Sequence, residues 1–380
     1  MTDVDVVTDW VATASALRGT LEEQAAGSEQ ARTATDEAVA ALRRSGLFTL
    51  LIPRELGGPE VDLATFTDTL AALSYADGSL GWTVLANATN TAFAAAFLGD
   101  EAVADMFGSG PIEVAAQLSA RGTIVSAGDG WQLSGKYSFG SGSGHAAWIG
   151  GGAIELVDGQ PAMQPNGFPR IRGCYVPRDQ VQFTDGWHVM GLEGTGSYDY
   201  HITDRLVPDA YTFPLLGPPR RGGPVYRLRV PIIGTAGHAG WALGAARRAL
   251  DEALAASGRG FMRGLTPVGQ MEGYLTELGE LDAALRSARS YVLEVFAEAE
   301  AFIEHADAPS EELSARVQQA ITQCTRVAVD VVRKSFEWSG VSAIRNGVLE
   351  RAFRDIHVAA QHVTQTRASF ANVTRVAIAE

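Results

Sequence analysis

The sequence predicts an α+β chain with helices over residues 1–112, a compact β barrel or sandwich over 113–213, and a bundle of four long helices over 214–380. Three observations carry this. Apolar residues recur at helical spacing up to about Gly99, and short β-prone runs separated by Gly, Asp and Pro fill Glu113 to Phe213. Long helical patterns then return after Pro231.

In the first part, Ala34, Ala38, Ala41, Leu42 and Leu47 mark a helix over Thr33 to Leu47, with Gly46 suited to ending it. Two prolines and two glycines between Ile52 and Pro59 interrupt helix, and Asp62 is placed to cap a helix from Leu63 to about Ala76. Asp77-Gly78-Ser79-Leu80-Gly81-Trp82 reads as a turn opening another helix that ends near Gly99. The strand candidates are Thr123 to Ser126, Trp131 to Ser134, Ile171 to Val176 and Tyr200 to Ile202. The four later helices are expected over Leu243–Ala256, Met271–His305, Glu311–Trp338 and Leu349–Ala377, which predicts an antiparallel bundle. Gly217 to Pro224 has the breaker density of an exposed linker.

Composition narrows the function. The formal charge of −14 argues against a nucleic-acid partner, because phosphate binding needs a concentrated basic surface. No apolar run reaches the ~18 residues of a membrane span, and no basic-then-apolar leader opens the chain, so a cytoplasmic protein is expected. Cys174 and Cys324 are too far apart to suggest a metal site or a disulfide framework and read as reduced packing residues.

The common catalytic signatures are missing: there is no GxGxxG after a strand, no Walker loop, no HExxH and no GxSxG. Gly140-Ser141-Gly142-Ser143-Gly144-His145 offers free amides and hydroxyls, but it follows a strand and opens no clear helix, so on its own it reads more readily as a turn than as an anion site. On a helical wheel Leu349, Phe353, Ile356, Ala360 and Val363 form one apolar stripe and His362 falls opposite with Asp355, Val358 and Ser369. That face is either solvated or the lining of a cavity, where an imidazole acts as a base near neutral pH.

Several segments, in order along nearly the whole chain, resemble the acyl-CoA dehydrogenase superfamily, and most closely its two-component flavin monooxygenase branch. They are Gly46-Leu47-Phe48 through Gly58, the Asp77–Trp82 turn, Leu133 to Gly142, Met190-Gly191-Leu192-Glu193-Gly194-Thr195-Gly196-Ser197, and Arg354-Asp355-Ile356-His357 with Gln361-His362. In the dehydrogenases a glutamate beyond the Arg-Asp pair takes the substrate proton; that place is Val363 here, which cannot accept one. Ala115 to Ala120 likewise lacks the dehydrogenases' Thr-Glu-Pro.

The resemblance implies a monooxygenase acting on a small aromatic or amine substrate through a flavin hydroperoxide. It uses O2 and reduced FMN or FAD supplied by a separate flavin reductase. It implies His362 as catalytic base and Ser141 as the hydroxyl beside the flavin's central ring. Trp82 and Phe139 are implied to pack near the isoalloxazine, Thr195 and Ser197 to bond its polar edge or phosphate, and Ser339 and Gly340, before the last helix, to meet it from that side; Trp82 and Phe139 have an alternative as core aromatics, and Thr195 and Ser197 as turn residues. His145 is implied to lie near the site or to be a hydrogen-bonded structural residue. Glu193 stands where many relatives have arginine, which puts a cationic contact in doubt. A homotetramer is also implied. The alternatives are a flavin dehydrogenase or oxidase of the same fold, and a catalytically silent relative that binds a ligand or partner.

Overall fold

The computed structural model describes residues 8–110, 112–184, 186–258 and 266–379. Met1–Val7, over which no leader is read, lie outside them. The helical first part comprises α1 (Trp10–Ala16), α2 (Arg18–Ala31), α3 (Asp36–Arg44), α4 (Leu63–Ala76), α5 (Gly78–Phe97) and α6 (Asp100–Phe107). Asp62 accepts from Thr65 N at 2.6 Å and Asp77 from Leu80 N at 2.9 Å, so α4 and α5 each begin on a carboxylate that satisfies an otherwise unpaired amide.

The strands form one sheet: β1 (Val114–Ala127), β2 (Gly130–Gly140), β3 (Trp148–Val157), β4 (Gln160–Pro161), β5 (Ile171–Pro177), β6 (Gln182–Phe183), β7 (Tyr198–Pro208) and β8 (Thr212–Pro214). Their order is β6-β7-β2-β1-β3-β5-β8, with β4 paired to β3. β1 pairs antiparallel with β2 and parallel with β3, its register shifting at Ala120 and Gly122. Ile124, Leu133, Tyr137, Ile149 and Tyr200 make a small apolar core within the sheet, separate from the larger core of the helices.

α7 (Arg229–Ala255), α8 (Glu272–Ile303) and α9 (Glu311–Ser339) follow. α7 lies against α4 at unusually short range. A Cβ on Gly240 would sit 2.2 Å from Thr67 O and one on Gly244 2.1 Å from Ala71 O, so only glycine permits this approach.

Two expectations need correction. The helix predicted over Leu349–Ala377 is broken: α10 (Val348–Ala359) and α11 (Ala368–Ala379) flank a turn over 360–367. His362 sits in that turn, so its wheel position on a continuous helix does not apply, and Val363 is 70% exposed and lies on no apolar stripe. The turn is held by Ala360 N to Ile356 O, His362 N to Ala359 O and Gln365 N to His362 O, and by Gln318 of α9, whose amide donates to Thr364 O. The Gly217–Pro224 segment is no free linker either. Arg220 N and Arg221 N donate to Ala96 O, and the Arg221 guanidinium to Ala95 O and Leu98 O, supplying donors to the unpaired carbonyls at the end of α5. Among the described residues no helix is long and apolar enough to cross a membrane.

Candidate active site around Trp82

Trp82 leaves the first turns of α5 and is 8% exposed. Its Nε1 donates to Ser141 Oγ at 3.1 Å, in the turn after β2. Ser141 Oγ meets Ser197 Oγ at 2.7 Å, Ser197 Oγ meets Thr195 Oγ1 at 2.6 Å, and Thr195 donates to Leu192 O at 2.8 Å. Four of the sequence-predicted residues therefore form one chain of hydrogen bonds. Its turns are fixed by backbone: Gly142 N donates to Thr195 O at 2.9 Å and the Ser143 hydroxyl to Gly196 O at 3.1 Å.

On the other side of the indole stand two imidazoles. His362 meets the Trp82 ring edge-on at 5.9 Å and His238 of α7 meets it edge-on at 5.0 Å; the two histidine rings are 4.4 Å apart. Trp241, one turn along α7 and bonded through Nε1 to Gly78 O at 2.7 Å, closes the cluster at 5.3 Å from Trp82. His362 Nδ1 lies 2.8 Å from Thr364 Oγ1. Thr364 N also donates to Nδ1 at 3.4 Å in the tautomer protonated at Nε2, whereas the tautomer protonated at Nδ1 donates to the Thr364 hydroxyl and leaves Nε2 as the acceptor a base requires. Burial lowers the His362 pKa to about 4 and pushes that of His238 well down, with His362 reinforcing the effect at His238. Both rings are neutral at pH 7.

His238 was not anticipated. It lies inside the Gly237–Gly244 stretch, where glycines set the spacing to α4, and that close approach of α7 is what carries an otherwise ordinary core position to Trp82. Its only sequence signal is a histidine among Gly and Ala on an apolar helix.

Phe139 is 62% exposed, with its ring edge-on to Trp187 at 5.9 Å. Its backbone holds φ at 68°, strained for a bulky residue and typical of functional sites. An uncovered aromatic face at the end of β2, two residues before the Ser141 hydroxyl, fits a planar apolar ring with a polar edge, as an isoalloxazine has. The residues present therefore fit a flavin.

The remaining candidates lie elsewhere. Ser339 donates to Ser335 O at 2.9 Å and its carbonyl accepts from Ser342, while Gly340 takes φ 57° beyond α9. Among the described residues no hydrogen bond or ring contact joins Ser339 or Gly340 to the Trp82 cluster. His145 Nε2 pairs with Asn87 Oδ1 at 3.0 Å and its ring packs on Phe48 at 5.6 Å, with burial lowering its pKa to about 4. Glu193 pairs with Arg354 at 2.8 Å, so the position expected to carry a cation carries half of an ion pair instead.

Residues 236–367, from α7 through the His362 turn, match the family described as Acyl-CoA dehydrogenase, C-terminal domain. The chain is 29% identical over 349 residues to an indole-3-acetate monooxygenase of Pseudomonas putida, covering 90% of this chain and 87% of that one. It is 26% identical over 363 residues to the flavin-dependent monooxygenase oxygenase subunit HsaA of Rhodococcus jostii (strain RHA1), covering 91% and 92%. The structure of XiaF from Streptomyces sp. in complex with FADH2 and glycerol superposes with a TM-score of 0.88 at 19% identity, over 99% of this chain and 96% of that one. Over about nine-tenths of its length the chain is thus similar to flavin-dependent monooxygenase oxygenase subunits, and its helical C-terminal part to the acyl-CoA dehydrogenase C-terminal domain.

Proposed function

We propose that this protein is the oxygenase component of a two-component flavin-dependent monooxygenase that hydroxylates a small, electron-rich aromatic substrate with O2 and reduced FMN or FAD delivered by a separate flavin reductase. The observation that carries the reading is Trp82 itself, which joins a hydroxyl chain on one side to a pair of neutral imidazoles on the other. Bound reduced flavin supplies the activation of oxygen.

The chain's own residues do the rest. Phe139 and Trp82 flank the flavin ring, Ser141 places a hydroxyl at it with Ser197 and Thr195 behind, and the apolar cluster keeps water away. His362 Nε2 accepts the proton of the substrate's hydroxyl or ring N–H, making the ring a better nucleophile. Where a dehydrogenase carries its glutamate, Val363 projects into solvent, which weighs against oxidation of an acyl thioester.

The test is to mix the protein with reduced FMN and with reduced FAD, O2 and a panel of phenols and indoles, following product by mass. Hydroxylated product requiring O2 and reduced flavin is expected. Flavin reduction by a substrate without oxygen would instead establish the dehydrogenase alternative. No O2-dependent turnover with either flavin would favour a silent binding protein.

Exposed apolar side chains at Val341 (84%), Ile344 (68%) and Ile378 (80%) support self-association, for which we propose the homotetramer that the resemblance implies; light scattering of the purified protein measures it. The cytoplasm is the proposed compartment. Cys174 and Cys324 are free and buried, and burial raises both thiol pKa values to about 12, so both stay as unreactive thiols.

A further inference from the structure

The two motifs at either end of the chain, the Asp77–Trp82 turn and the Arg354-Asp355 pair, meet in the interior. Asp77 and Asp355 are 4% and 1% exposed and line one small cavity of about 20 Å³, the space of a single water, with Ser74 and Arg351. Each carboxyl uses one oxygen to hold backbone. Asp77 Oδ1 accepts from Leu80 N at the start of α5, and Asp355 Oδ1 accepts from Leu192 N at 2.5 Å. The outer oxygens, Oδ2 of both, have no hydrogen-bond partner, and neither has the Ser74 hydroxyl. Space is tight enough that a Cβ on Gly78 would lie 2.6 Å from Asp355 Oδ2.

The surrounding charges leave the pair short of cations. Arg351 reaches Asp77 at 3.7 Å but bonds more closely to Glu29 of α2 at 2.9 Å. Arg354 is taken up by Glu29, Glu193 and Glu350. Arg248 of α7, which also lines the cavity, pairs with Glu22 and Glu252. Two buried carboxylates with one shared, distant guanidinium cannot both ionise cheaply.

We propose that Asp355 is a positioning residue of the site, and that Asp77 and Asp355 share one proton which locks the start of α5, the Leu192–Ser197 turn and α10 together. Leu192 is the keystone: its N–H is held by Asp355, and its carbonyl receives Thr195 Oγ1 and Trp187 Nε1. Losing the proton sets two buried negative charges against each other at the junction that aims Trp82 and the hydroxyl chain. Burial and the neighbouring Asp77 push the Asp355 pKa up to about 8, so the loss falls on the alkaline side. The role as positioning residue rests on the flavin-site reading; the shared proton does not.

Two measurements separate the two. The first is the thermal midpoint of the flavin-free protein between pH 6 and 9.5, for wild type, Asp355→Asn and Asp355→Ala. A carboxyl whose pKa is raised by folding stabilises most below its unfolded value and loses that contribution as pH rises through its folded value. The wild-type midpoint is expected to fall by roughly 2–4 °C relative to Asp355→Asn across that range, because the amide keeps the acceptor for Leu192 N and carries a permanent donor toward Asp77. Asp355→Ala should be lower at every pH. Parallel curves for wild type and Asp355→Asn would overturn the shared proton. The second is anaerobic titration with reduced FMN and reduced FAD. Wild type should bind about tenfold more weakly at pH 9.5 than at pH 7, with Asp355→Asn holding its pH 7 affinity throughout. Tight but pH-independent binding in wild type would overturn the positioning role, and no binding of either flavin at any pH would sink the flavin-site reading while leaving the melting result intact.

Discussion

On one side of Trp82, Ser141, Ser197 and Thr195 pass hydrogen bonds of 2.6–3.1 Å to one another and end on a backbone carbonyl. On the other side, His238 and His362 meet each other and the indole through ring contacts, and His362 Nδ1 meets the hydroxyl and the backbone amide of Thr364. The hydroxyl side is a rigid rail whose members satisfy each other. The imidazole side is held by ring packing and by the Thr364 contacts of His362. In the proposed function the rail is the side that meets the flavin and the imidazoles the side that meets the reacting substrate.

The largest expected effect lies on the imidazole side. His362→Ala should lower product formation by ~10²–10⁴-fold, the range of a lost general base, with reduced-flavin binding kept. Product measured at saturating flavin checks this, and a rate near wild type would remove His362 from the mechanism. Next comes Ser141→Ala, which deletes the link between rail and indole. On the order of tenfold more of the consumed O2 should appear as hydrogen peroxide, the scale of one hydrogen bond of about 1–1.5 kcal/mol. An unchanged peroxide yield would mean that the rail only builds the turn. His238→Asn, which keeps a polar side chain at the position, should change KM for a phenol more than kcat, because the second imidazole is placed to orient substrate and not to take its proton. A kcat loss as large as that of His362→Ala would make the two rings joint bases.

The same contrast explains what could be read from the sequence. Ser141, Thr195, Ser197 and Trp82 lie in turn-forming segments whose Gly, Ser and Asp spacing is a local signal, and helices α4 and α5 were legible because Asp62 and Asp77 cap them. His238 carries no local signal. It reaches the site because Gly240 and Gly244 let α7 approach the α4 backbone, a contact between residues more than 170 apart in sequence. His362 was singled out by the family resemblance, and the wheel position also read for it does not hold: no Gly or Pro marks residues 360–367, and the break is held by tertiary contacts such as Gln318 to Thr364 O, which periodicity does not register. Ser339 and Gly340 were read as facing the flavin, yet their contacts within this chain are local, and only an assembled oligomer or a bound flavin tests them.

The smallest expected effect is on stability, and it tests the comparison without turnover. The rail has no group that titrates near neutrality, whereas His238 and His362 are buried neutral, as is His145 beside Asn87. A histidine whose pKa is lowered by folding binds fewer protons in the native state than in the unfolded one, whose value is about 6.5. These histidines therefore contribute a stability that rises with pH through the window from about 4, where His362 and His145 titrate, to about 6.5, against the opposite slope that Asp355 contributes there. Thermal midpoints between pH 4.5 and 7 should carry this slope as one part of the wild-type curve. His238→Asn and His362→Asn should each flatten it, because asparagine adds no proton in either state, and Ser141→Ala should leave it as steep as before. A slope reduced equally by the serine substitution would show that the two sides of Trp82 are not separable, since loosening the rail would then let protons reach the imidazoles.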